Sequence, residues 1–200
     1  ITMNLIIPMA GMGKRMRPHT LTTPKPLLKV AGKSIVHWLI EDIAAVCGEP
    51  IEEIGFVVGR FGSETEQELL QIAKSVGAQG HIFYQDTAEG TGHAILCARE
   101  ILKGEVIVAF ADTLFRTEFN LDKTKDGVIW VQKVDNPSSF GVVKYNEEGI
   151  ITDFIEKPQT FVSDLAIIGI YYFKSGETLE AELQYLIDND IKDKGEYQLT

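Results

Sequence analysis

The sequence predicts an α/β fold: a doubly wound, mixed but mainly parallel sheet with a β-hairpin extension. Strand and helix patterns alternate three times through residues 4–110, which is typical of βαβ units with parallel strands. Strand patterns then follow one another from residue 128 onward, and polar or glycine-rich segments come directly after several strands. Because ligands of such sheets bind beyond the carboxyl ends of the strands, these segments are the first candidates for a site.

The first βαβ unit begins with an apolar run at residues 4–9 that predicts a buried strand. Ser34 is the predicted N-cap of a helix whose apolar residues recur at helical spacing through residue 46. Strand character resumes at residues 53–58. These three elements therefore predict two parallel strands joined by a crossover helix.

The second and third units continue the alternation. Ser63, with Glu66 three residues later, predicts a capping box at the start of the next helix, and residues 79–84 predict a strand. Thr91 is the predicted N-cap of a short helix before the β-branched strand at residues 105–110.

The second half of the chain departs from this alternation. The Asn-Glu-Glu-Gly segment at residues 146–149 predicts a hairpin turn, and a helix pattern covers residues 179–187. The predicted strands lie at residues 128–134, 140–145, 150–155 and 165–173. The hairpin predicts a mixed extension of the sheet that carries a second ligand lobe.

Composition narrows the functional class. The 200 residues are 44% hydrophobic, which is enough for the core of one domain without disulfides. The net charge of −10 argues against a surface that binds nucleic acid. Cys47 and Cys97 stand far apart at no metal-ligand spacing, which predicts reduced thiols in a cytoplasmic protein. No apolar run approaches the ~20 residues of a membrane span, so no membrane partner is expected.

The N-terminal segment has an unusual charge pattern. Residues 1–40 contain no acidic residue, although the chain has 29. Gly11 and Gly13 follow the first strand and free the backbone for close approach to an anion. The dinucleotide fingerprint fails because Met16 replaces its third glycine, and the P-loop spacing fails as well. The segment therefore predicts another kind of polyphosphate loop. The basic residues of the acid-free stretch are Lys14, Arg15, Arg17, Lys25, Lys29 and Lys33.

The pattern Gly11-x-Gly13-x-Arg15-x-x-Pro18-x-Thr20-x-x-x-Pro24-Lys25-Pro26 resembles that of the sugar-nucleotidyltransferases, also called nucleoside-diphosphate-sugar pyrophosphorylases, and especially their thymidylyl-transferring branch. The resemblance implies a Rossmann-like sheet whose hairpin extension forms a sugar-phosphate lobe. It also implies that residues 1–200 form the nucleotidyltransferase catalytic domain, truncated at its C-terminal end. The nucleotide-binding residues that it implies here are Ala10, Gly11, Met12, Gly13, Lys14, Arg15 and Lys25.

Within this set, the resemblance implies that Arg15 contacts the triphosphate and that Lys25 reaches it from the side. Charge-assisted contacts of this kind hold phosphate oxygens at ~1.5–3 kcal/mol each. Met12 and Lys14 depart from the residues that the family often has. Lys14 either adds a phosphate contact or faces water, and the sequence leaves both open.

A second segment, Tyr84-Gln85-x-x-x-Glu89-Gly90-Thr91, resembles the part of the family that reads the nucleobase. The resemblance implies that Gln85, Gly90 and Thr91 bind the nucleotide. A glutamine amide offers a donor and an acceptor, which suits the imide edge of uracil or thymine and favours a pyrimidine. The four histidines stand at no metal-ligand spacing, so a structural or surface role is expected for each.

Asp112 follows the strand at residues 105–110 and resembles the strand-end aspartate that holds Mg²⁺ in the family. A carboxylate suits a hard cation that also touches triphosphate oxygens. The alternative is a capping aspartate, which is common at strand ends. The family's second metal ligand is expected beyond residue 200.

Three later segments resemble the sugar-phosphate lobe of the family: Phe140-Gly141, Glu156-Lys157-Pro158 and Gly169-Ile170-Tyr171. The resemblance implies that Glu156 hydrogen-bonds sugar hydroxyls and that Lys157 contacts the sugar phosphate. Gly141, Gly169 and Tyr171 are then expected to line the pocket. Residues 195–200 resemble the beginning of one more family segment.

Together these segments imply an enzyme that transfers a nucleoside monophosphate from a nucleoside triphosphate to a sugar 1-phosphate. Its cofactor would be Mg²⁺, its catalytic residues Arg15, Lys25 and Asp112, and a homo-oligomer is compatible with the sequence. Thymidylyl transfer from dTTP to glucose 1-phosphate is the first expectation, with uridylyl, guanylyl and cytidylyl transfer behind it.

Two other classes stay open at the level of sequence. One is a non-catalytic regulatory subunit of the same family, which the intact charged residues disfavour. The other is a metal-dependent glycosyltransferase, which would have an acidic residue in the place of Leu114.

Overall fold

The computed structural model describes residues 2–10, 24–111 and 121–200. Its strands are β1 (Met3–Pro8), β2 (Lys29–Val30), β3 (Lys33–Ser34), β4 (Ile51–Val58), β5 (Gln79–Tyr84), β6 (Glu105–Ala109), β7 (Gly127–Lys133), β8 (Gly141–Tyr145), β9 (Ile151–Glu156) and β10 (Leu165–Phe173). Its α-helices are α1 (Ile35–Cys47), α2 (Ser63–Ser75), α3 (Thr91–Cys97) and α4 (Gly176–Asp188). Short 3₁₀ helices occupy Lys25–Leu27, Arg99–Ile101 and Pro137–Ser139.

The central sheet has the strand order β5-β4-β1-β6-β10-β8-β9, and β7 also pairs with β10. The strands β5, β4, β1 and β6 are parallel, whereas β10 is antiparallel to β6, β7 and β8. The predicted doubly wound, mixed sheet is thereby confirmed. Its parallel part comes from the half of the chain in which strands and helices alternate.

Two hydrophobic cores lie on opposite faces of this sheet. Strand β1 is buried along its whole length, and its side chains alternate between the cores. Leu5 and Ile7 pack with side chains of α1 and α2 such as Leu39, whereas Ile6 packs with side chains of α3 and α4 such as Ile95. Because helices cover both faces, β1 is apolar at nearly every position instead of alternating.

The helix starts show where local sequence patterns succeed and fail. The Oγ of Ser34 accepts a backbone N–H of α1 at 3.4 Å, so this predicted cap is confirmed. The capping box predicted at Ser63 is wrong, because Gly62 (φ 97°, ψ 161°) is the N-cap. The cap predicted at Thr91 is wrong for the same reason, because Gly90 (φ 109°, ψ 175°) precedes α3 as its N-cap. Glycine adopts this backbone conformation at little cost, so it displaces the hydroxyl residue from the cap.

The predicted hairpin joins β8 to β9. The Oδ1 of Asn146 accepts the backbone N–H groups of Glu148 at 3.0 Å and Ile150 at 2.9 Å, which stabilises the turn. The antiparallel register pairs Gly141 with Glu156 at the far end of the hairpin. The hairpin extension of the sheet is therefore confirmed.

The amino edge of the parallel strands holds an ion-pair cluster. Glu105, the first residue of β6, is 7% exposed. The Nζ of Lys123 donates to Glu105 at 2.7 Å and to Glu49 at 2.5 Å, and the hydroxyl of Tyr172 donates to Glu105 at 3.1 Å. Burial opposes the charge of Lys123, but its hydrogen bonds to the two carboxylates raise its pKa. The cluster ties the segment after residue 120 to the base of the sheet.

Lys123→Met is expected to lower the free energy of unfolding by about 2 kcal/mol, because it leaves the buried carboxylate of Glu105 without its cation. Equilibrium unfolding in urea measures the change. Lys125→Met is the matched control, because Lys125 is an exposed lysine two residues away and should change stability by less than about 0.5 kcal/mol. Equal losses in the two variants would contradict a stabilising role for the cluster.

Candidate functional site

The carboxyl edge of the parallel strands brings several predicted site segments together. Gln85 follows β5 and donates its backbone N–H to Val58, the last residue of β4, at 2.9 Å. Met9 follows β1 and donates to Val57 at 2.8 Å. Ala10 comes next, so the start of the predicted phosphate loop lies beside the end of β4. The residues after β5, β4 and β1 therefore share one edge of the sheet.

Five nucleotide-binding residues predicted from the sequence lie outside the described residues: Gly11, Met12, Gly13, Lys14 and Arg15. The predicted metal ligand Asp112 lies outside them as well. Met9, two residues before Gly11, and Ala111, directly before Asp112, are buried, with 5% and 3% of their surfaces exposed. Both segments therefore start from well-packed positions at the carboxyl edge.

Lys25 begins a 3₁₀ helix whose backbone is held on both sides. The backbone N–H of Leu27 donates to Pro24 at 2.9 Å, and that of Leu28 donates to Lys25 at 3.1 Å. Pro26 and Leu27 are buried, and Leu27 belongs to the core that contains α1. Lys25 itself is half-buried. The two prolines and the buried leucine thus give this lysine a defined backbone position.

The side chain of Gln85 is engaged at the start of α3. Its Nε2 donates to the carbonyl oxygen of Gly90 at 3.1 Å and lies 3.0 Å from Nδ1 of His93. Gln85, Gly90 and His93 are all half-buried. The amide is therefore held by the same loop for which the family resemblance implies contact with the nucleobase.

An exposed cluster links the loops after β4 and β5. The guanidinium of Arg60 donates to both carboxylate oxygens of Asp86, at 2.7 and 2.9 Å, and its Cζ lies 3.9 Å from the centre of the Tyr84 ring. The hydrogen bonds from Arg60 lower the pKa of Asp86. No sequence motif predicted this cluster, in which Arg60 contacts both chain neighbours of Gln85, Tyr84 and Asp86.

A C-terminal segment crosses the loop at residues 85–91, which is predicted to read the nucleobase and is called the nucleobase loop below. We call residues 196–199 the strap. The backbone N–H of Tyr197 donates to Glu89 at 2.8 Å, and Gly92 donates back to the carbonyl of Tyr197 at 2.8 Å. Thr91 Oγ1 donates to Oε1 of Gln198 at 3.0 Å and accepts the backbone N–H of Leu199 at 2.9 Å. The side chain of Thr91 is thus engaged by the strap, while its predicted nucleotide contact stays a prediction.

Gly90 permits this crossing because it has no side chain. A Cβ at Gly90 would overlap the carbonyl oxygen of Tyr197 and lie 2.7 Å from its nitrogen. Real Cβ atoms do not approach backbone atoms so closely, so any side chain would displace the strap or the loop. The packing of the strap therefore requires glycine at position 90.

The strap also borders a cavity of about 520 Å³ between the hairpin and the segment after α4. Gly141 and Glu156, paired in the hairpin, both line it, and the sugar-binding role that the resemblance implies for them stays a prediction. The carboxylate of Glu156 lies over Gly141, where a Cβ would be 2.9 Å from its Oε2. The other lining residues are Phe154, Ile155, Ile167, Leu186, Ile191, Lys192, Asp193, Lys194, Gln198 and Thr200.

The remaining residues predicted for the sugar phosphate lie near this cavity but do not line it. Lys157 has a positive φ of 48°, and its Nζ lies 3.4 Å from Oε1 of Glu156. Gly169 (φ 86°) accepts the backbone N–H of Phe110 at 2.9 Å. Tyr171 is buried edge-on against the Phe110 ring, with centroids 6.1 Å apart, and burial raises its pKa. Gly169 and Tyr171 thus join β10 to the carboxyl end of β6.

Within the three described ranges, no three His, Cys, Asp or Glu side chains are grouped closely enough to hold a metal ion. None of the helices in the same ranges is both long and apolar enough to cross a bilayer.

Comparison with known proteins assigns the family. A family model described as nucleotidyl transferase matches residues 5–195, nearly the whole chain. The chain belongs to the nucleotidyl transferase family. The resemblance read from the glycine loop and the downstream segments is thereby confirmed.

Three similar nucleotidyl transferases come from distant organisms. The catalytic subunit beta of mannose-1-phosphate guanylyltransferase from Drosophila melanogaster is 35% identical over 177 residues, which cover 84% of this chain and 47% of the relative. The low-salt glycan biosynthesis nucleotidyltransferase Agl11 from Haloferax volcanii is 32% identical over 170 residues, which cover 82% of this chain and 47% of the relative. The bifunctional protein GlmU from Methanococcus maripaludis is 30% identical over 200 residues, which cover 99% of this chain and 45% of the relative. The chain spans about half the length of these relatives.

Solved structures confirm the fold of this nucleotidyl transferase. A UDP-glucose pyrophosphorylase complexed with UDP-glucose superposes with a TM-score of 0.79 at 24% identity, covering 100% of this chain and 84% of that one. A putative glucose-1-phosphate thymidylyltransferase from Bacillus anthracis superposes with a TM-score of 0.78 at 22% identity, covering 96% of this chain and 76% of that one. The predicted Rossmann-like sheet is the fold that these structures share.

Sequence reasoning missed the strap of this nucleotidyl transferase, although a signal was present. Residues 195–200 resemble a family segment, but nothing local to them indicates that they cross the loop at Gly90. The lysines that line the cavity, Lys192 and Lys194, carry no motif of their own. Their place beside Glu156 depends on how the segment after α4 folds back.

Proposed function

We propose that this nucleotidyl transferase moves a nucleoside monophosphate from a nucleoside triphosphate to a sugar 1-phosphate, releasing pyrophosphate and forming a nucleoside-diphosphate sugar. The observation that carries the proposal is the strap, which is bonded to the nucleobase loop at Thr91 and also lines the cavity of Glu156 through Gln198. One element thus contacts both proposed binding regions, which supports a reaction that needs its two substrates bound close together. We also propose that residues 1–200 form the catalytic domain.

The chemistry needs alignment of two anions more than it needs a base. An ionised oxygen of the sugar phosphate attacks the α-phosphorus in line, forming a new P–O bond. The bond from the α-phosphorus to the oxygen that bridges to the β-phosphate breaks, and pyrophosphate leaves with the electron pair. Arg15 and Lys25 would stabilise the charge on the triphosphate and the leaving group, while Lys157 would hold the attacking phosphate.

The proposal includes Mg²⁺, with Asp112 as a ligand. The donor chemistry fits, because a carboxylate is a preferred ligand of this hard cation, and the buried Ala111 directly before Asp112 sets the start of its segment at the carboxyl edge. When bound, the ion would neutralise charge on the triphosphate oxygens. Gln85 and Gly90 would orient the base, and Glu156 would hydrogen-bond the sugar hydroxyls beside Gly141.

The proposed pair of substrates is dTTP and glucose 1-phosphate. The thymidylyltransferase-like motifs of the sequence support it, while the mannose-1-phosphate guanylyltransferase among the relatives makes guanylyl transfer the main competitor. The test is a panel of nucleoside triphosphates against glucose 1-phosphate and mannose 1-phosphate, with and without Mg²⁺. Pyrophosphate release should be fastest for dTTP with glucose 1-phosphate in the presence of Mg²⁺. The full-length protein is the sample to use.

Three outcomes of this panel would contradict parts of the proposal. Nucleotide-sugar binding without turnover would favour a regulatory subunit. Glycosyl transfer from a nucleotide sugar to an acceptor would favour a glycosyltransferase. Full activity after removal of divalent cations would exclude the proposed role of Asp112 and Mg²⁺.

A further inference from the structure

The amide nitrogen of Gln85 has an acceptor for each of its two hydrogens. The nitrogen Nε2 donates to the carbonyl oxygen of Gly90 at 3.1 Å and lies 3.0 Å from Nδ1 of His93, which can accept its second hydrogen. A backbone carbonyl can only accept, so Gly90 requires the nitrogen, not the oxygen, on this side of the amide. The oxygen Oε1 forms no hydrogen bond within the described ranges, which leaves it for a ligand.

The environment of His93 favours the tautomer that this arrangement needs. Its Nε2 lies 3.5 Å from a carboxylate oxygen of Glu89, four residues earlier in the loop before α3, so a hydrogen on Nε2 is attracted to that side. A neutral imidazole with its hydrogen on Nε2 has a bare Nδ1, which accepts from Gln85. The contact of Nε2 with Glu89 therefore favours the tautomer whose Nδ1 accepts from Gln85.

We propose that His93 is a positioning residue that holds the Gln85 amide with only its oxygen available to the nucleobase. The inference rests on the proposed function and deepens it. An acceptor placed against the ring nitrogen of the base attracts the N–H of thymine, uracil or guanine. The same acceptor repels the bare ring nitrogen of cytosine or adenine. Cytidylyl and adenylyl transfer are therefore disfavoured.

Loss of the His93 acceptor would free the second amide hydrogen. Only the hydrogen bond to the Gly90 carbonyl then holds the amide of Gln85. The side chain can turn about this one bond and offer the freed N–H to a bare ring nitrogen, because an unpaired half-buried donor is costly. The specific consequence is a loss of discrimination between bases, not a uniform loss of activity. A merely structural role of His93 would lower activity with all bases alike.

The test measures kcat/KM for dTTP, UTP and GTP against CTP and ATP in the full-length protein, with sugar 1-phosphate present. His93→Leu should reduce the preference for bases with a ring N–H by about tenfold, the value of one lost hydrogen bond. His93→Asn should restore most of it, because Oδ1 can take the place of Nδ1. His37→Leu is the matched control, because His37 also lies 3.5 Å from a glutamate four residues away but does not contact Gln85.

Each result bears on the inference separately from the proposed function. A wild-type protein that reacts with no triphosphate would overturn both. A wild-type protein that reacts but accepts CTP or ATP as well as the others, or a ratio unchanged in His93→Leu, would overturn the inference alone. If His93→Leu does not fold, nitrogen NMR of the wild-type ring decides: hydrogen on Nε2 supports the inference, and hydrogen on Nδ1 overturns it.

Discussion

Replacing Lys25 with alanine is expected to lower turnover by about 10²–10³-fold while leaving the fold intact, the scale of losing one preorganised charge at a transition state. The physical reason is that Lys25 would stabilise charge that develops on the leaving pyrophosphate. Its backbone is held by the bonded 3₁₀ turn and by the buried Pro26 and Leu27, none of which the substitution alters. Steady-state kinetics with saturating substrates give the change in kcat.

The control for this prediction is Lys29→Ala, four residues along the same basic segment. Lys29 is exposed on the two-residue strand β2, so its removal should change kcat by less than about twofold. Circular dichroism and thermal unfolding show whether Lys25→Ala keeps its structure. Unchanged turnover in a folded Lys25→Ala protein would remove this lysine from the proposed mechanism.

Gly90→Ala is expected to lower the free energy of unfolding by about 3–5 kcal/mol and to release the strap. Two effects add. The backbone conformation at Gly90 costs about 1–3 kcal/mol for any other residue, and the new Cβ would overlap the backbone of Tyr197. Hydrogen exchange should show lost protection at the amides of Gly92 and Tyr197, whose bonds join the loop to the strap.

Gly62→Ala separates the two effects. Gly62 precedes α2 with nearly the same backbone angles as Gly90, but a Cβ there would have no atom within 4 Å. The free energy of unfolding of this variant should therefore fall only by the cost of the backbone conformation, about 1–3 kcal/mol. The strap amides should stay protected from hydrogen exchange. If both variants lost the same stability and both kept protection at Tyr197, the strap would not depend on the absence of a side chain at Gly90.

Several elements could be predicted because their cause is local. The cap at Ser34 and the turn at Asn146 depend on hydrogen bonds to backbone groups within four residues. The burial of β1 follows from its continuous apolar run. The caps at Ser63 and Thr91 were predicted wrongly because the preceding glycine takes the N-cap position, and a hydroxyl pattern alone does not reveal this competition.

The candidate site also has features that the sequence predicted and features that only the structure shows. The places of Gln85 and Glu156 at strand ends predicted that they lie at one ligand crevice, and the family resemblance added Gly141 to that prediction. The sequence also suggested that the Gln85 amide would pair with a base through both donor and acceptor. In the folded chain the amide nitrogen of Gln85 contacts Gly90 and His93. The expected contact with the base is therefore narrowed to the amide oxygen, which accepts.

By itself the sequence determined the α/β class, the hairpin extension, the family and the chemical types gathered at the carboxyl edge. Only the tertiary structure decided that β10 joins β6, that the strap crosses Gly90, and that Lys123 joins Glu49 to Glu105. The physical reason is distance along the chain. Periodicity and caps act over a few residues, whereas the contact of Thr91 with Gln198 spans 107 residues and depends on how the sheet places both segments.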